Sequence, residues 1–307
     1  MNNRRKFIKK SGLGILSLSL LPKFSFSEKA DVKITILHTN DMHSQIHPFK
    51  SGRNKGLGGM AQRAGLIQSI RSQEEHVLLL DAGDIFQGTP YFNFYGGELE
   101  FKLMSKIKYD AATLGNHDFD NGLEGLNKQL EHAKFPFLIA NYDFSNTILK
   151  NKFTPYKIFN KGGVKIGVLG IGISLDGLVP KNLYGNTVYQ DPIKKANYYA
   201  DLLKNKKKCD LIICLSHLGF KYKSDKISDI KLASQTRNID LIIGGHTHTF
   251  LKKPITISNL DKKETLINQV GWGGINLGKI EFHFNQNRHA KKVFGRSIFV
   301  KSNKKNA

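Results

Sequence analysis

The sequence predicts an α/β protein with largely buried strands, and two observations predict it. Short apolar, β-rich runs recur along the chain, and stretches with helical spacing separate several of them. With 307 residues, 40% of them hydrophobic, the chain can fill one large packed core or two small ones. Disordered and fibrous classes are excluded.

The first 29 residues stand apart. The stretch NNRRKFIKKSGLGILSLSLLPKFSFS opens with a basic region, passes through an apolar run from Gly12 to Leu21, and reaches small residues near Ser25 and Ser27 where a peptidase can cut. This is the pattern of an export signal, with an apolar run too short for a transmembrane helix. Arg4 and Arg5 followed by Phe7 and Ile8 resemble the twin-arginine type, which moves folded proteins, often with metal loaded. The expected location is periplasmic or extracellular. No cysteine follows the apolar run, so nothing points to a lipid anchor.

Strand runs follow at VKITILH (32–38), HVLLLDAG (76–83), DAATLG (110–115), FPFLIA (135–140), VKIGVLGIG (164–172), CDLIICLSH (209–217) and IDLIIGGH (239–246). Between them GGMAQRAGLIQSIRS, GLEGLNKQLEHA and DPIKKANYYADLLKNKKK carry helical spacing. From about Lys253 the pattern changes to strand-like segments with glycines between them, ending in INLGKIEFHF and GRSIFV, which predicts hairpins finishing a second sheet. The final KSNKKNA reads as a frayed end. Without internal repeats or a low-complexity linker, residues 30–307 read as one domain.

The formal net charge is +22, and the excess of basic side chains persists beyond the first 29 residues. Such a balance raises nucleic acid or an anionic surface as a partner. The basic run KNKKK (204–208) has no interleaved aromatic, however, and KYKSDK (221–226) has a single tyrosine and an acidic residue. They read as solvated surface that draws anionic substrates, and specific nucleic-acid binding is not expected. The aromatic run YFNFY (91–95) reads as a helix start or a cleft rim rather than a base-stacking platform. GVLGIG sits inside a strand run and lacks the complete dinucleotide pattern. Cys209 and Cys214 are the two cysteines; five apart on a strand they face opposite sides, so no disulfide is expected.

In open α/β sheets, ligand sites gather beyond the carboxyl ends of the strands. Here the strand runs end in TNDMHS, with Asp41 and His43; DAGD, with Asp81 and Asp84; GNHDFD, with Asn116, His117, Asp118 and Asp120; CLSH, with His217; and GGHTH, with His246 and His248. Taken singly, each has an ordinary explanation as a turn former, a helix cap or a hydrogen-bonded histidine. Five of the seven strand ends supplying nitrogen and oxygen donors do not. Imidazole and carboxylate together suit zinc, manganese or iron, and a carboxylate can bridge two such ions. Two ions about 3.5–4 Å apart polarise a phosphate and generate a hydroxide nucleophile at neutral pH, which is the chemistry of phosphoester hydrolysis.

The motifs DMH, GD at 83–84, GNHD, SH at 216–217 and GHTH occur in the order and approximate spacing of the calcineurin-like metallophosphoesterases. The finer wording ILHTNDMH, DAGDIFQGTP, TLGNHDFD, GGHTH and NQVGWGGINLG resembles the catalytic domain of bacterial 5'-nucleotidases, over roughly residues 32–283. The resemblance implies a four-layer α/β/β/α sandwich of two mixed sheets. It implies one divalent ion held by Asp41, His43, Asp84 and His248, and a second held by Asp84, Asn116, His217 and His246, with Asp84 as the bridge. His117 would stand off the ions, stabilise developing charge and protonate the leaving oxygen, with Asp120 orienting it. Asp118 reads as a turn or cap residue. The expected activity is hydrolysis of phosphomonoesters, nucleotides among them. A 2',3'-cyclic nucleotide phosphodiesterase or another phosphodiesterase could use the same centre. The alternative from another class is a metal-binding or nucleic-acid-binding subunit with little turnover of its own. Full-length 5'-nucleotidases carry a second domain that holds base and phosphate; the sequence after Gly278 leaves no room for one, so those contacts are expected from a separately encoded protein.

Overall fold

The structure is a computed structural model that describes residues 31–302. The export signal read at residues 1–29 lies outside the described residues. The first half runs β1 (Val32–Thr39), α1 (Met60–Arg71), β2 (Val77–Asp81), α2 (Pro90–Tyr95), α3 (Glu98–Ile107), β3 (Ala111–Ala112), α4 (Gly122–Gln129), β4 (Tyr142–Asp143), β5 (Tyr156–Lys161) and β6 (Val164–Ile171). The second half runs α5 (Lys181–Tyr184), β7 (Val188–Tyr189), α6 (Pro192–Asp201), β8 (Leu211–Ser216), α7 (Asp229–Ser234), β9 (Leu241–Gly244), β10 (Ile255–Ser258), β11 (Glu264–Asn268), β12 (Asn276–Phe284) and β13 (Ala290–Phe299).

Two mixed sheets result, ordered β13-β12-β1-β2-β3 and β10-β11-β9-β8-β6-β5. In the first, β1, β2 and β3 run parallel; in the second, β6, β8, β9 and β11 do. Side-chain alternation then sorts the apolar residues into three cores. Ile34, Ile36, Leu78 and Leu80 meet Ile166, Val168, Ile213 and Ile243 between the sheets. Leu37, Val77 and Leu79 face the other way, onto Met60, Ile67, Phe101 and Met104 of α1 and α3. Leu169, Ile212, Cys214 and Ile242 face Ala196 and Ala200 of α6 and Leu232 of α7. Helix, sheet, sheet, helix is the order of the layers. Strands covered on both faces read as unbroken apolar runs, which is why those runs were so plain in the sequence.

Helix starts follow local chemistry. Asp191 caps α6 by accepting from the amides of Ile193 (2.9 Å) and Lys194 (3.0 Å), with Pro192 in the first helical position. Ser228 caps α7 through the amide of Lys231. The YFNFY run lies in α2, where Phe92 is buried against Phe86 and Phe94 points to solvent, 82% exposed.

Three expectations need amending. FPFLIA is not a strand; its pairing reduces to single bridges, Phe137 with Ala112 and Leu138 with Thr154. Pro136 cannot donate to a ladder, and Phe135, Phe137 and Ile139 instead enter the helix-side core. The C-terminal hairpins divide between the sheets: β10–β11 extends the second, but β12–β13 closes the first, with β12 antiparallel to β1 from Val32 opposite Phe284 to His38 opposite Gly278. Ile280, Phe282 and Phe284 thereby join the inter-sheet core. Cys209 and Cys214 are both unpaired and buried, but strand parity is not the reason. Cys209 precedes β8, and both sulfurs belong to the core under α6 and α7.

Candidate metal centre

The parallel strands of both sheets deliver their carboxyl ends to one edge of the sandwich, and main-chain bonds stitch neighbouring loops together there. Asp41 N–H donates to Gly83 O (2.9 Å), His43 N–H to Asp84 O (3.0 Å), Gly273 N–H to Asp41 O (2.7 Å) and His217 N–H to Ile171 O (2.8 Å). The approach is tight. A Cβ on Gly115 would lie 2.1 Å from Asp84 Oδ1, and one on Gly83, at φ +88°, would lie 2.5 Å from Gly115 N. Only glycine fits either place.

Asp41, His43, Asp84, His246 and His248 all hold left-handed backbone, at φ 49°, 48°, 55°, 71° and 52°. Such residues cost about 1–3 kcal/mol each and persist only where their surroundings over-determine them. The surroundings are visible. The buried carboxylate of Asp118 accepts from the amides of Asp84 (3.1 Å), Ile85 (2.9 Å), Phe86 (3.1 Å) and Gly115 (2.8 Å). Asn40 donates to Gly271 O (2.6 Å) and to the Asp41 carboxylate, and accepts from Val270 N–H (2.9 Å). Buried Gln269 donates to Gly245 O (2.5 Å) and accepts from Thr247 and from the Thr249 amide. His246 N–H donates to Asp41 Oδ1 at 2.8 Å.

The side chains held this way form two groups. Asp41, His43 and His248 make one; Asp84, His217 and His246 make the other; within each, the ligating atoms lie within 4.8 Å of one another. Asn116 joins the second group, its Oδ1 2.8 Å from His246 Nδ1. Asp84 Oδ2 lies 3.0 Å from His217 Nε2 and 3.9 Å from His43 Nε2, between the groups. Every residue expected to hold metal is here. Asp81 is not: its carboxylate turns under the loop, taking bonds from Thr39 and from Gly83 N–H (2.9 Å).

The donor set fits divalent ions on its own chemistry. Nδ1–H of fully buried His217 donates to Ala82 O (2.7 Å), which orients the ring so that Nε2 faces the cluster, 3.0 Å from Asp84 Oδ2. His43 Nε2 and His248 Nε2 converge to 2.9 Å. Burial opposes charge on both Asp84 and His217, yet their attraction prevails: Asp84 is held well below the usual carboxylate range and His217 is raised. An anionic Asp84 shared by several imidazoles is the electrostatic complement of a cation.

Beside the cluster, His117 Nδ1 lies 2.8 Å from Asp120 Oδ2, and His117 N–H donates to Asp84 Oδ1 (2.8 Å). The ring meets His43 edge-on, centroids 5.3 Å apart. The hydrogen bond with Asp120 raises the His117 pKa, against partial burial. Sequence reasoning gave no role to Asn40, Gln269 or Trp272, whose indole stacks on His248 at 5.9 Å. The signal was present in NQVGWGG, but the motif showed no chemistry until its contacts were seen. Asp118 is more than a cap, since it organises the backbone on either side of Asp84.

A sequence model of the calcineurin-like phosphoesterases matches residues 34–250, which spans β1 through the last histidine of the cluster. The chain belongs to that family. Among relatives of this phosphoesterase, the snake venom 5'-nucleotidase of Crotalus adamanteus is 34% identical over 290 residues, 87% of this chain and 48% of its own. A 5'-nucleotidase precursor from Thermus thermophilus superposes with a TM-score of 0.78 at 31% identity, covering 88% of this chain and 55% of that one. The NAD nucleotidase of Haemophilus influenzae gives 0.76 at 28%, covering 88% and 51%. The chain spans about half the length of the curated relatives it matches.

Proposed function

We propose that this calcineurin-like phosphoesterase is an exported hydrolase of phosphomonoesters, 5'-nucleotides among them. The observation that carries the reading is the convergence of seven oxygen and nitrogen donors beside a histidine–carboxylate pair that is not needed to hold metal. A pure metal binder has no use for that pair. The names of the relatives point to nucleotides, and the sequence of residues 1–29 supports export.

In this reading Asp41, His43, Asp84 and His248 would hold one divalent ion and Asp84, Asn116, His217 and His246 the other. When bound, the ions neutralise the substrate phosphate and lower the pKa of a water. Asp84, whose Oδ2 lies between His217 and His43 of the two groups, would serve both. Asn116 serves as a neutral ligand, which avoids another anion against the phosphate. His117, held by Asp120 through Nδ1, presents Nε2 to the leaving oxygen and gives it a proton; its raised pKa keeps that proton available.

The test is turnover by metal-reconstituted protein on nucleoside monophosphates, 2',3'-cyclic nucleotides and simple monoesters. Monoesters should be cleaved, and a chelator should abolish cleavage. Diester cleavage outpacing monoester cleavage, or no turnover with metal verified, would overturn the assignment. Export is tested by cell fractionation: replacing Arg4 and Arg5 with lysine should retain the protein inside.

A further inference from the structure

The imidazoles that line the centre are not held alike. His217 is fully buried, and its Nδ1–H donates to Ala82 O. A hydrogen bond at the nitrogen facing away from the metal is the common way to fix the plane of a ligating ring. His248 lacks one. Its side chain is 40% exposed; Nε2 faces His43 Nε2 (2.9 Å) and Asp41 Oδ1 (3.5 Å), and Nδ1 has no hydrogen-bond partner among the described residues. An exposed ring without a further restraint samples several rotamers. The restraint here is Trp272, whose indole stacks on the imidazole with the planes 17° apart and the centroids 5.9 Å apart.

Trp272 is itself placed by the neighbours of two donors. Gly271 N–H donates to Thr249 O (3.0 Å), next to His248, while Gly271 O accepts from Asn40 Nδ2 (2.6 Å) and Gly273 N–H donates to Asp41 O (2.7 Å). The turn that carries the indole is thus bonded both to the loop of Asp41, after β1 of the first sheet, and to the loop of His248, after β9 of the second. Phe49 meets the indole edge-on at 5.2 Å. Its own main chain is pinned, with N–H donating to Leu57 O (2.9 Å) and O accepting from Gly56 N–H (2.8 Å).

A near-parallel stack at this centroid distance is the offset kind, which stabilises beyond the area it buries. It also responds to charge. An ion that binds an imidazole draws electron density from the ring, and indole is the aromatic face that attracts positive charge best. The contact is therefore stronger with the ion bound than without it, and by linkage that difference appears as metal affinity. An aliphatic side chain in the same place would fill the space without supplying the difference.

We propose, resting on the reading of His248 as a metal ligand, that Trp272 is the positioning residue of that ligand. The indole sets the plane of the His248 ring in place of a hydrogen bond and ties it to the loop of Asp41. It thereby raises the affinity for the ion of the Asp41, His43 and His248 group, and leaves the ion of the Asp84, Asn116, His217 and His246 group unaffected.

In the experiment, zinc-loaded protein is dialysed against graded free zinc set by a chelator, and zinc per chain is measured beside the emission of Trp272, the only tryptophan in the sequence. In Trp272→Leu one zinc equivalent should leave at higher free zinc than in wild type, by about 10–100-fold, the usual effect of losing a group that orients a ligand. The other equivalent should not move, and Trp272→Phe should recover most of the loss. His248→Ala should weaken the same equivalent, and adding Trp272→Leu to it should change nothing further. Wild-type emission should shift as that equivalent leaves, and His248→Ala should abolish the shift; if Trp272→Leu does not fold, this comparison decides alone. Wild-type zinc binding in Trp272→Leu, weakening of both equivalents, or emission that ignores the loss of zinc would overturn the positioning role while the ligand reading stands. If His248→Ala keeps both equivalents at wild-type affinity, His248 is not a ligand, and the two readings fall together.

Discussion

His38 gives the most direct route from this structure to a measured number. It lies in β1, fully buried, directly opposite Gly278 of β12, where a Cβ would come within 2.0 Å of its Nε2. That nitrogen accepts from Asn268 Nδ2 (2.9 Å), and burial pushes the imidazole pKa down to about 3. The unfolded chain titrates near 6.5. Above pH 6.5 both states are neutral and the stability is fully present. As pH falls, the unfolded state takes a proton that the native state refuses, so stability is lost from about pH 6.5 down toward 3. At 1.36 kcal/mol per unit, the loss at pH 5 is about 2 kcal/mol. Buried Asp229, raised to about 8 by its own burial, works in the opposite sense, so the quantity to measure is a difference. Urea unfolding of metal-loaded wild type and His38→Gln at pH 7.5 and pH 5 provides it. Glutamine can still accept from Asn268 but does not titrate. Wild type should lose about 2 kcal/mol more than the variant between the two pH values. Parallel pH dependence in both proteins would mean that His38 titrates normally, and the account of its burial would be wrong.

Other expectations follow from the centre. His117→Asn should keep both metals and lose about 10²–10⁴ in kcat; metal analysis beside kinetics checks it, and disappearance of the ions would make His117 a ligand. Asp118→Ala strands four buried amides at about 1–3 kcal/mol for each left unpaired. Stability should fall by about 3 kcal/mol or more in denaturant titrations, and a change below about 1 kcal/mol would refute the organising role. Chelation should lower the Tm of wild type by several degrees, because ions that bind only the native state stabilise it; an unmoved Tm after verified removal would count against that.

The α/β class and the location of the site were legible because both depend on local pattern. Strands covered on two faces must be apolar throughout, and donors placed just past them stand out as polar breaks, as Asp41 does after VKITILHTN. Pairing partners were not legible. Nothing local tells INLGKIEFHF whether its alternating Ile280, Phe282 and Phe284 will line the first sheet or the second, since either offers the same apolar surface. FPFLIA has strand composition, but one proline decides against a ladder. Supporting residues were the least visible. Asn40 and Gln269 act through side-chain bonds to distant main chain, and only the folded arrangement shows that Gln269 reaches Gly245. The left-handed backbone at five donors was equally hidden, because Asp and His in sequence carry no mark of the φ they will adopt.

The pairing of β1 with β12 joins the first described strand to almost the last. Until β12 is synthesised, β1 presents a bare edge, and an apolar strand edge is a template for association with other chains. Contacts of such long sequence separation also slow folding. All seven donors, from Asp41 to His248, precede β12 in the chain. The nascent protein can therefore gather its ligands, and meet metal, while its first sheet is still open on one side. Assembly would then proceed from the centre outward, with β12 and β13 added as a final seal. Pulse-labelled hydrogen exchange during refolding would show this as late protection of the β12 amides relative to those of β8 and β9.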